Sequence, residues 1–332
     1  MKYLTFVIVA LFFFCSVHGS ARNNNWEPVK IHGQLQVKGR FLCNGQGDTI
    51  SLRGVSLGWH NLWPRFYNKK AVKWLKDDWK CSVIRAAMGA YEGVEDGYLV
   101  NPEFALNCVE TVVRASIKEN VYVIIDWHAH DFYPELAKQF FASMARKYGK
   151  NPHIIYEIFN EPTHEHSWER IKKYAEEVIA EIRKYDPDNL IIVGTPSWDQ
   201  HVDIVANNPI VGYENIMYSL HFYAASHKEE LRNRVAKALE KDLPLFVTEC
   251  AGMEHTGDGI PEWEKWTDFL EKNRISWVNW SISNKNETCS MILPRGSYEG
   301  GWDTEVIKPA GQKSRELIRF YNTVDKVYEN LR

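Results

Sequence analysis

Along the chain, short runs of apolar and β-branched residues alternate with longer segments in which apolar positions recur at helical spacing. After a hairpin pattern at residues 33–43, eight such runs stand at 50–55, 83–86, 122–126, 155–159, 190–193, 216–220, 245–248 and 276–280. Helical periodicity occupies the stretches near 69–79, 102–119, 134–148, 167–185, 200–207, 228–241, 261–273 and 311–321. This alternation predicts parallel βαβ units. Eight strands, each followed by a helix, predict an α/β fold of the closed (β/α)8 TIM-barrel kind. An open doubly wound sheet usually has fewer strands and a Gly-rich first turn, and no GxGxxG follows any strand here. No Pro/Ser/Gly-rich linker and no internal repeat divides the chain, so a single domain with a short N-terminal hairpin is expected.

The amino terminus has a different pattern. Lys2 precedes an apolar run from Leu4 to Phe14, then the small or polar residues Ser16, Val17 and Gly19 and a polar stretch from Ser20 to Asn25. That order is a signal-peptide pattern, too short to span a bilayer. Residues 1–19 are therefore expected to be a signal peptide, residues 20–332 the barrel domain, and the protein to be secreted and extracellular. No later stretch reaches the roughly eighteen apolar residues that a spanning helix needs, so no membrane association is expected.

Charge and composition narrow the partners. With 40 basic against 43 acidic residues and no basic block, the chain offers nothing to a polyanion such as nucleic acid, and a neutral substrate fits better. Aromatic residues make up 13% of the chain and include 13 Trp, and rings on a secreted protein stack on ligands as well as fill cores. Once Cys15 leaves with the signal, Cys43, Cys81, Cys108, Cys250 and Cys289 remain, an odd number that leaves at least one thiol unpaired or shared between chains. No CxxC or His/Cys spacing suggests zinc. Of two glycosylation sequons, the one at Asn279 lies in an apolar strand where a glycan would not fit, which leaves Asn286.

In a (β/α)8 barrel all strands deliver their carboxyl ends to one face, so polar residues just after the strands converge although they are far apart in sequence. Those ends carry Arg85, Trp127-His128, Asn160-Glu161-Pro162, Trp198, His221-Phe222-Tyr223, Glu249 and Trp280. A lone Arg or His at such a place is ordinarily a core hydrogen bond, but seven polar or aromatic groups at one face point to a site. Glu161 and Glu249, on opposite sides of the barrel mouth, are the pair of carboxylates that cleavage of a glycosidic bond requires. One protonates the departing sugar oxygen, and the other attacks the anomeric carbon or activates water.

These motifs resemble glycoside hydrolase family 5, and within it the bacterial-type endoglucanases, from about residue 33 to 323. The resemblance is carried by Asp77-Asp78-Trp79 leading into Val83-Ile84-Arg85-Ala86-Ala87-Met88, by Ile125-Asp126-Trp127-His128, and by Ile158-Phe159-Asn160-Glu161-Pro162. It continues through Ser219-Leu220-His221-Phe222-Tyr223, Val247-Thr248-Glu249 and Asn279-Trp280-Ser281. It implies a retaining endo-β-1,4-glucanase of the cellulase type that acts as a monomer and needs neither cofactor nor metal. Glu161 would be acid/base and Glu249 nucleophile, with Arg85 and Tyr223 donating hydrogen bonds to Glu249. Asn160 would bond the sugar 2-hydroxyl, His128 and His221 would orient substrate hydroxyls and the glutamates, and Trp280 and Trp198 would be stacking platforms on either side of the scissile bond. Lys285 and Glu287 would bind the next sugar outward.

The chain departs from the family pattern in places. Cys250-Ala251-Gly252 follows Glu249 where a Trp-Gly pair is common, and Cys289 replaces a small residue. Because the loops after strands seven and eight are neighbours, the paired departure implies a Cys250–Cys289 disulfide. Gly89 stands where a tyrosine is frequent, with Tyr91 two residues on, and the segment Trp59-His60-Asn61-Leu62-Trp63 does not align with the family's histidine, so His60, Trp63 and Tyr91 carry no assignment. Mannan and xyloglucan remain alternative substrates, since they differ from glucan by one hydroxyl or a branch. Two other readings stay open. One is a metal-dependent hydrolase using His128-Ala129-His130-Asp131 and His164-Glu165-His166. The other is a carbohydrate-binding barrel without catalysis, and the presence of both glutamates speaks against it.

Overall fold

Strands of four to eight residues with apolar side chains on both faces can bury only between layers, and the chain solves this by closing the sheet on itself. The computed structural model describes residues 26–91, 95–252 and 260–329, so the expected signal peptide lies outside the described residues. A small antiparallel hairpin, β1 (Gln36–Lys38) and β2 (Phe41–Cys43), comes first. Eight strands follow: β3 (Arg53–Leu57), β4 (Val83–Gly89), β5 (Tyr122–His128), β6 (Ile154–Glu157), β7 (Leu190–Val193), β8 (Ile216–Tyr223), β9 (Leu245–Ala251) and β10 (Ser276–Ile282). They pair in parallel in chain order, and β10 returns to β3 to complete a closed barrel. This is the predicted (β/α)8 architecture, hairpin included.

Successive side chains along each strand alternate between the barrel interior and the helix layer. Outward residues such as Ile84, Ala86, Met88, Val123, Ile125 and Trp127 join the main core against the helices. Inward residues form two layers of opposite character. At the amino-terminal end Val83, Tyr122, Ile124, Ile155, Leu190, Ile192, Met217, Phe246 and Val278 make an apolar plug, which Leu35 and Leu42 of the hairpin segment cap from below. At the carboxyl end the inward positions become Arg85, Asp126, His128, Glu157, Ser219, His221 and Tyr223. The apolar plug therefore holds a polar layer at the mouth.

The boundaries differ from the sequence reading in three places. The first barrel strand starts at Arg53, because Ile50 and Leu52 pack into the plug. A short helix at Pro28–His32, begun by proline at its first turn, precedes the hairpin. The helix expected over 200–207 shrinks to Val202–Val205, after a turn in which Ser197, Trp198 and Asp199 all have positive φ (57°, 55° and 60°). Left-handed backbone costs an L residue roughly 1–2 kcal/mol. Here it is held by a hydrogen bond from the Thr195 N–H to the Asp199 carboxylate and by one from the Trp198 N–H to the Pro162 carbonyl at 2.8 Å.

One irregularity decides the site. Between Ser219 and His221 β8 advances two residues while β9 advances three, from Phe246 to Glu249, and β10 shows the same excess of β9 from the other side. The extra residue is a β-bulge, which locally reverses the in/out alternation. It turns Glu249 and Ala251 towards the barrel mouth and Cys250 outwards.

That reversal overturns the expected disulfide. All five described cysteines are free thiols. Cys250 faces the helix layer, with Sγ 3.4 Å from the Val278 carbonyl and 3.1 Å from Asn279 Nδ2, whereas Cys289 packs at the mouth with Ala87, Ala251 and Trp280. The two loops are neighbours as inferred, but the two side chains lie on opposite faces of the sheet.

Candidate active site

Arg85 is the floor of the polar layer and is fully buried. A guanidinium taken out of water is tolerated only when opposite charges and hydrogen bonds replace the solvent. Its Nε donates to Glu157 Oε2 at 2.7 Å, and its Nη2 donates to Glu157 Oε1 at 3.1 Å and to Asn160 Oδ1 at 2.6 Å. Asp126 Oδ2 lies 2.9 Å from Nη2, and Nη1 donates to Glu249 Oε2 at 3.0 Å. Burial works against the charge, but the three carboxylates outweigh it and keep Arg85 firmly protonated.

The other oxygen of Glu249 accepts a hydrogen bond from the Tyr223 hydroxyl at 2.6 Å. Burial, then the charge of Glu161, pushes the Glu249 carboxyl up, and His221, Arg85 and Tyr223 pull against that rise. Glu161 faces two imidazoles: His221 Nδ1 lies 2.9 Å from Oε1 and His130 Nε2 lies 3.0 Å from Oε2. Burial again pushes this carboxyl up, but His130 and His221 outweigh it and hold Glu161 below the usual carboxylate range. His221 is anchored from behind by Thr248 Oγ1 at 2.8 Å and by Asp199 Oδ2 at 3.3 Å from its Nε2. Burial lowers its affinity for a proton, yet Asp199, Glu157 and Glu161 raise it well above the ordinary histidine value.

Oxygen atoms of Glu161 and Glu249 and a ring nitrogen of His221 all lie within 4.8 Å of one another. Such a triad is a conceivable cation cradle, but its donors are already engaged, Glu249 by a guanidinium and Glu161 by two imidazoles. Of the two motifs behind the metal reading, His128 stacks on Trp280, His130 binds Glu161, His164 lies against Trp198, and His166 Nε2 is 3.1 Å from the His130 carbonyl and 3.6 Å from Asp131 Oδ1.

A cleft of about 540 Å³ opens above this layer. Of the residues singled out in the sequence, His128, Glu161, Tyr223, Glu249, Trp280, Lys285 and Glu287 line it, while Arg85, Asn160 and His221 lie buried beneath. His128 is neutral, its pKa pushed well down by burial and by Arg85. Its Nδ1 lies 2.8 Å from Asp126, and its ring stacks on Trp280 at a centroid distance of 5.4 Å and 15°. Lys285 and Glu287 form a 2.6 Å ion pair at one end of the cleft. Trp198 does not line it; 38% exposed, it stands beside His164 at a centroid distance of 5.1 Å, held there by the left-handed turn.

Several residues at the site were given no catalytic or substrate-binding role from the sequence. Asp126 and Glu157 complete the cage around Arg85; a lone carboxylate inside each apolar run, at Ile124-Ile125-Asp126 and Ile155-Tyr156-Glu157, was the signal available. Trp59, Leu62, Trp63, His130 and Cys289 also line the cleft. Tyr91 bonds His130 Nδ1 and stacks on Trp59 at 4.8 Å and 10°. His60 is a strut: Nδ1 accepts from the Gly89 N–H at 3.0 Å, Nε2 lies 2.9 Å from the Asp96 carbonyl, and burial holds its pKa down at about 4.

Comparison with known proteins places this geometry. Residues 43–286 match the family model Cellulase (glycosyl hydrolase family 5). The chain is 41% identical over 301 residues to Endoglucanase 5 of Pectobacterium carotovorum subsp. carotovorum, covering 88% of this chain and 59% of that protein. It is likewise 41% identical over 303 residues to an endoglucanase of Clostridium saccharobutylicum, covering 89% of this chain and 67% of the relative, so it spans about three fifths to two thirds of these relatives' length. Among solved structures, one from Cytophaga hutchinsonii superposes with a TM-score of 0.87 at 46% identity, covering 91% of this chain and 99% of the other. The catalytic domain of Thermobifida fusca endoglucanase Cel5A, in a variant bound to cellotetraose, superposes with a TM-score of 0.83 at 32% identity over 88% of this chain and 99% of that one. The chain belongs to glycosyl hydrolase family 5, the cellulase family.

Proposed function

We propose that the protein is a secreted, monomeric, retaining endo-glycosidase that cleaves internal β-1,4-glucosidic bonds by double displacement, with Glu249 as nucleophile and Glu161 as acid/base. The observation that carries this reading is that one carboxylate oxygen of Glu161 lies within 4.8 Å of one of Glu249 at the base of an open cleft, too close to leave the wider gap of an inverting pair. Retaining enzymes hold the pair about 5–5.5 Å apart, while inverting enzymes leave about 6.5–9.5 Å for a water.

Hydrogen bonding supports the division of labour. Two carboxylates this close repel as a pair of anions and share a proton more readily than they ionise together. The guanidinium of Arg85 can only donate, so Glu249 is suited to stay an anion and attack the anomeric carbon. An imidazole can donate to an anionic Glu161 or, when neutral, accept from a protonated one. In this structure the electrostatics run the other way, with Glu161 held below the usual carboxylate range by His130 and His221 and Glu249 pushed up, so the acid role requires the proton to pass to Glu161 once sugar fills the cleft; Glu161 then gives it to the leaving oxygen and takes one back from water. Asn160 Oδ1 is held by Arg85 while Nδ2 is buried with no hydrogen-bond partner among the described residues, a donor suited to the sugar 2-hydroxyl. Trp280 is suited to stack under the sugar before the scissile bond, with Lys285 and Glu287 serving the next sugar outward.

The names of the endoglucanase relatives and the cellotetraose complex of the Thermobifida fusca variant support β-1,4-glucan over mannan or xyloglucan. The apolar run of residues 4–14 supports export, and the near balance of charges supports a neutral polymer as substrate with neither nucleic acid nor membrane as partner.

The test is to mix purified protein with cellohexaose, β-glucan, mannan and xyloglucan and to follow the first product by proton NMR. Fastest cleavage of the unbranched glucans with β-anomer formed first is the expected result; α-anomer first, or faster cleavage of mannan, overturns the reading. The export claim rests on a separate observation, an N-terminus near residue 20 in protein recovered from culture medium.

A further inference from the structure

Both oxygens of Glu161 are held by imidazoles, and the two imidazoles have different origins. His221 comes from inside β8 and is fixed by Thr248 of β9 and by Asp199 of the turn after β7. His130 lies two residues beyond the end of β5, with its side chain 31% exposed on the cleft. Its ring fills no core. It is held instead by a chain of contacts on the cleft surface: Nε2 to Glu161 Oε2 at 3.0 Å, Nδ1 to the Tyr91 hydroxyl, and Tyr91 stacked on Trp59 at 4.8 Å. Tyr91 lies two residues past the end of β4 and Trp59 two past β3, so three adjacent strand ends converge on one carboxyl oxygen.

We propose that His130, oriented by Tyr91 and Trp59, is a positioning residue that clamps the second oxygen of Glu161 and so aims its proton at the departing sugar oxygen. This rests on the acid/base assignment of Glu161. A carboxyl held at one oxygen can still swing about its last torsion, and a second fixed contact on the other oxygen removes that freedom. Misplacement of a reacting group by about 1 Å can cost on the order of 100-fold in rate. The step itself is unchanged: in the first displacement the O–H bond of Glu161 breaks as the leaving oxygen gains that proton, in the second a water gives a proton back, and His130 neither gains nor loses one overall.

A positioning role for the acid predicts dependence on the leaving group. The loss on His130→Ala should appear where the leaving oxygen needs a proton and vanish where it does not. The experiment measures kcat/KM, which reports the first displacement, for cellotetraose and for 2,4-dinitrophenyl β-cellobioside, whose phenolate departs without protonation. Wild type, His130→Ala, His130→Gln, Tyr91→Phe and Glu161→Gln are compared, each checked for an unchanged melting transition.

On cellotetraose His130→Ala should lose about 10- to 100-fold, on the scale that misplacement allows. On the aryl cellobioside it should lose less than about 3-fold, as expected when no proton transfer is impaired. His130→Gln, which still offers a hydrogen bond from a planar group, should recover part of the loss, and Tyr91→Phe should show a smaller split in the same direction. Equal losses on both substrates, or no loss on cellotetraose, overturn the proposal, because a merely structural histidine would not discriminate between leaving groups. Glu161→Gln separates the two levels of the argument. If it fails to show the split, the acid assignment itself fails and takes the proposal with it; if it shows the split and His130→Ala does not, only the proposal falls.

Discussion

At the residue scale, the chemistry depends on which partners each glutamate has been given. Glu249 is tied to a permanent cation and a hydroxyl, Glu161 to two imidazoles. On the double-displacement reading, Glu249→Gln removes the attacking group altogether, and kcat should fall by at least about 10³-fold with the fold intact. Glu161→Gln should cost about 10²- to 10⁴-fold on unactivated glucans, the usual worth of a general acid. Near-full activity of either variant, with circular dichroism unchanged, would discard the pair. The Tyr223 hydroxyl allows a subtler test. Its hydrogen bond stabilises the Glu249 anion and so lowers that carboxyl's affinity for protons. Removing it in Tyr223→Phe raises that affinity, and since attack needs the anion, the acid limb of the kcat/KM profile should move to higher pH. A limb that stays put, or moves down, would mean that Glu249 is not the group titrating there.

At the scale of elements, the barrel carries its strain in irregular places and its stability in long-range ties. Arg53, on β3, donates to Glu271 from both Nε at 2.7 Å and Nη2 at 2.5 Å, joining the first barrel strand to the helix Ile260–Lys272 across the closing seam of the barrel. Side-chain exposure of only 1% and 13% leaves little water to replace a lost partner. Arg53 Nη1 keeps its bonds to Asn322 Oδ1 at 3.1 Å and to the Ser51 carbonyl at 3.3 Å, so Glu271→Ala should destabilise the fold by about 1.5–3 kcal/mol, the worth of hydrogen bonds to a charged group, and a urea titration reads this directly. A loss below about 1 kcal/mol, the range of exposed pairs, would show that solvent screens the tie.

The same scale shows what the sequence could and could not convey. Strand positions were legible because β-branched runs between helical stretches have few other uses, and so were the residues at the strand ends, because the barrel topology sends all of them to one face. The bulge in β9 was not legible, since an extra residue is defined only against the neighbouring strands. Missing it led to the wrong pairing: loop adjacency implied that Cys250 and Cys289 meet, while the bulge points Cys250 away from the mouth. His130 was visible only as half of a His-x-His pattern, which reads as a metal motif as readily as anything else. Its partner Tyr91 lies on a different strand end, where only the folded register brings the two rings together.

For the molecule as a whole, the absence of a bridge among the described cysteines raises the question of what replaces it. Small extracellular domains rely on disulfides when their cores are too small, whereas a chain of about 300 residues buries roughly three quarters of its unfolded surface. Here the sheet is closed on itself by hydrogen bonds between β10 and β3, the hairpin caps the bottom, and the Arg53–Glu271 pair spans the seam. The thiols are packing groups: Cys81 and Cys250 are enclosed, with burial pushing both beyond the range in which a reactive thiolate forms, and Cys289 is likewise pushed up by burial and by Glu287. The melting temperature should accordingly be the same, within about 1 °C, with and without a millimolar thiol reductant, because a native disulfide would ordinarily contribute about 2–4 kcal/mol and several degrees. Alkylation in denaturant without prior reduction should label Cys43, Cys81, Cys108, Cys250 and Cys289 alike. A reductant-dependent drop in melting temperature, together with a peptide pair linked through any two of these positions, would show that the barrel is stapled after all.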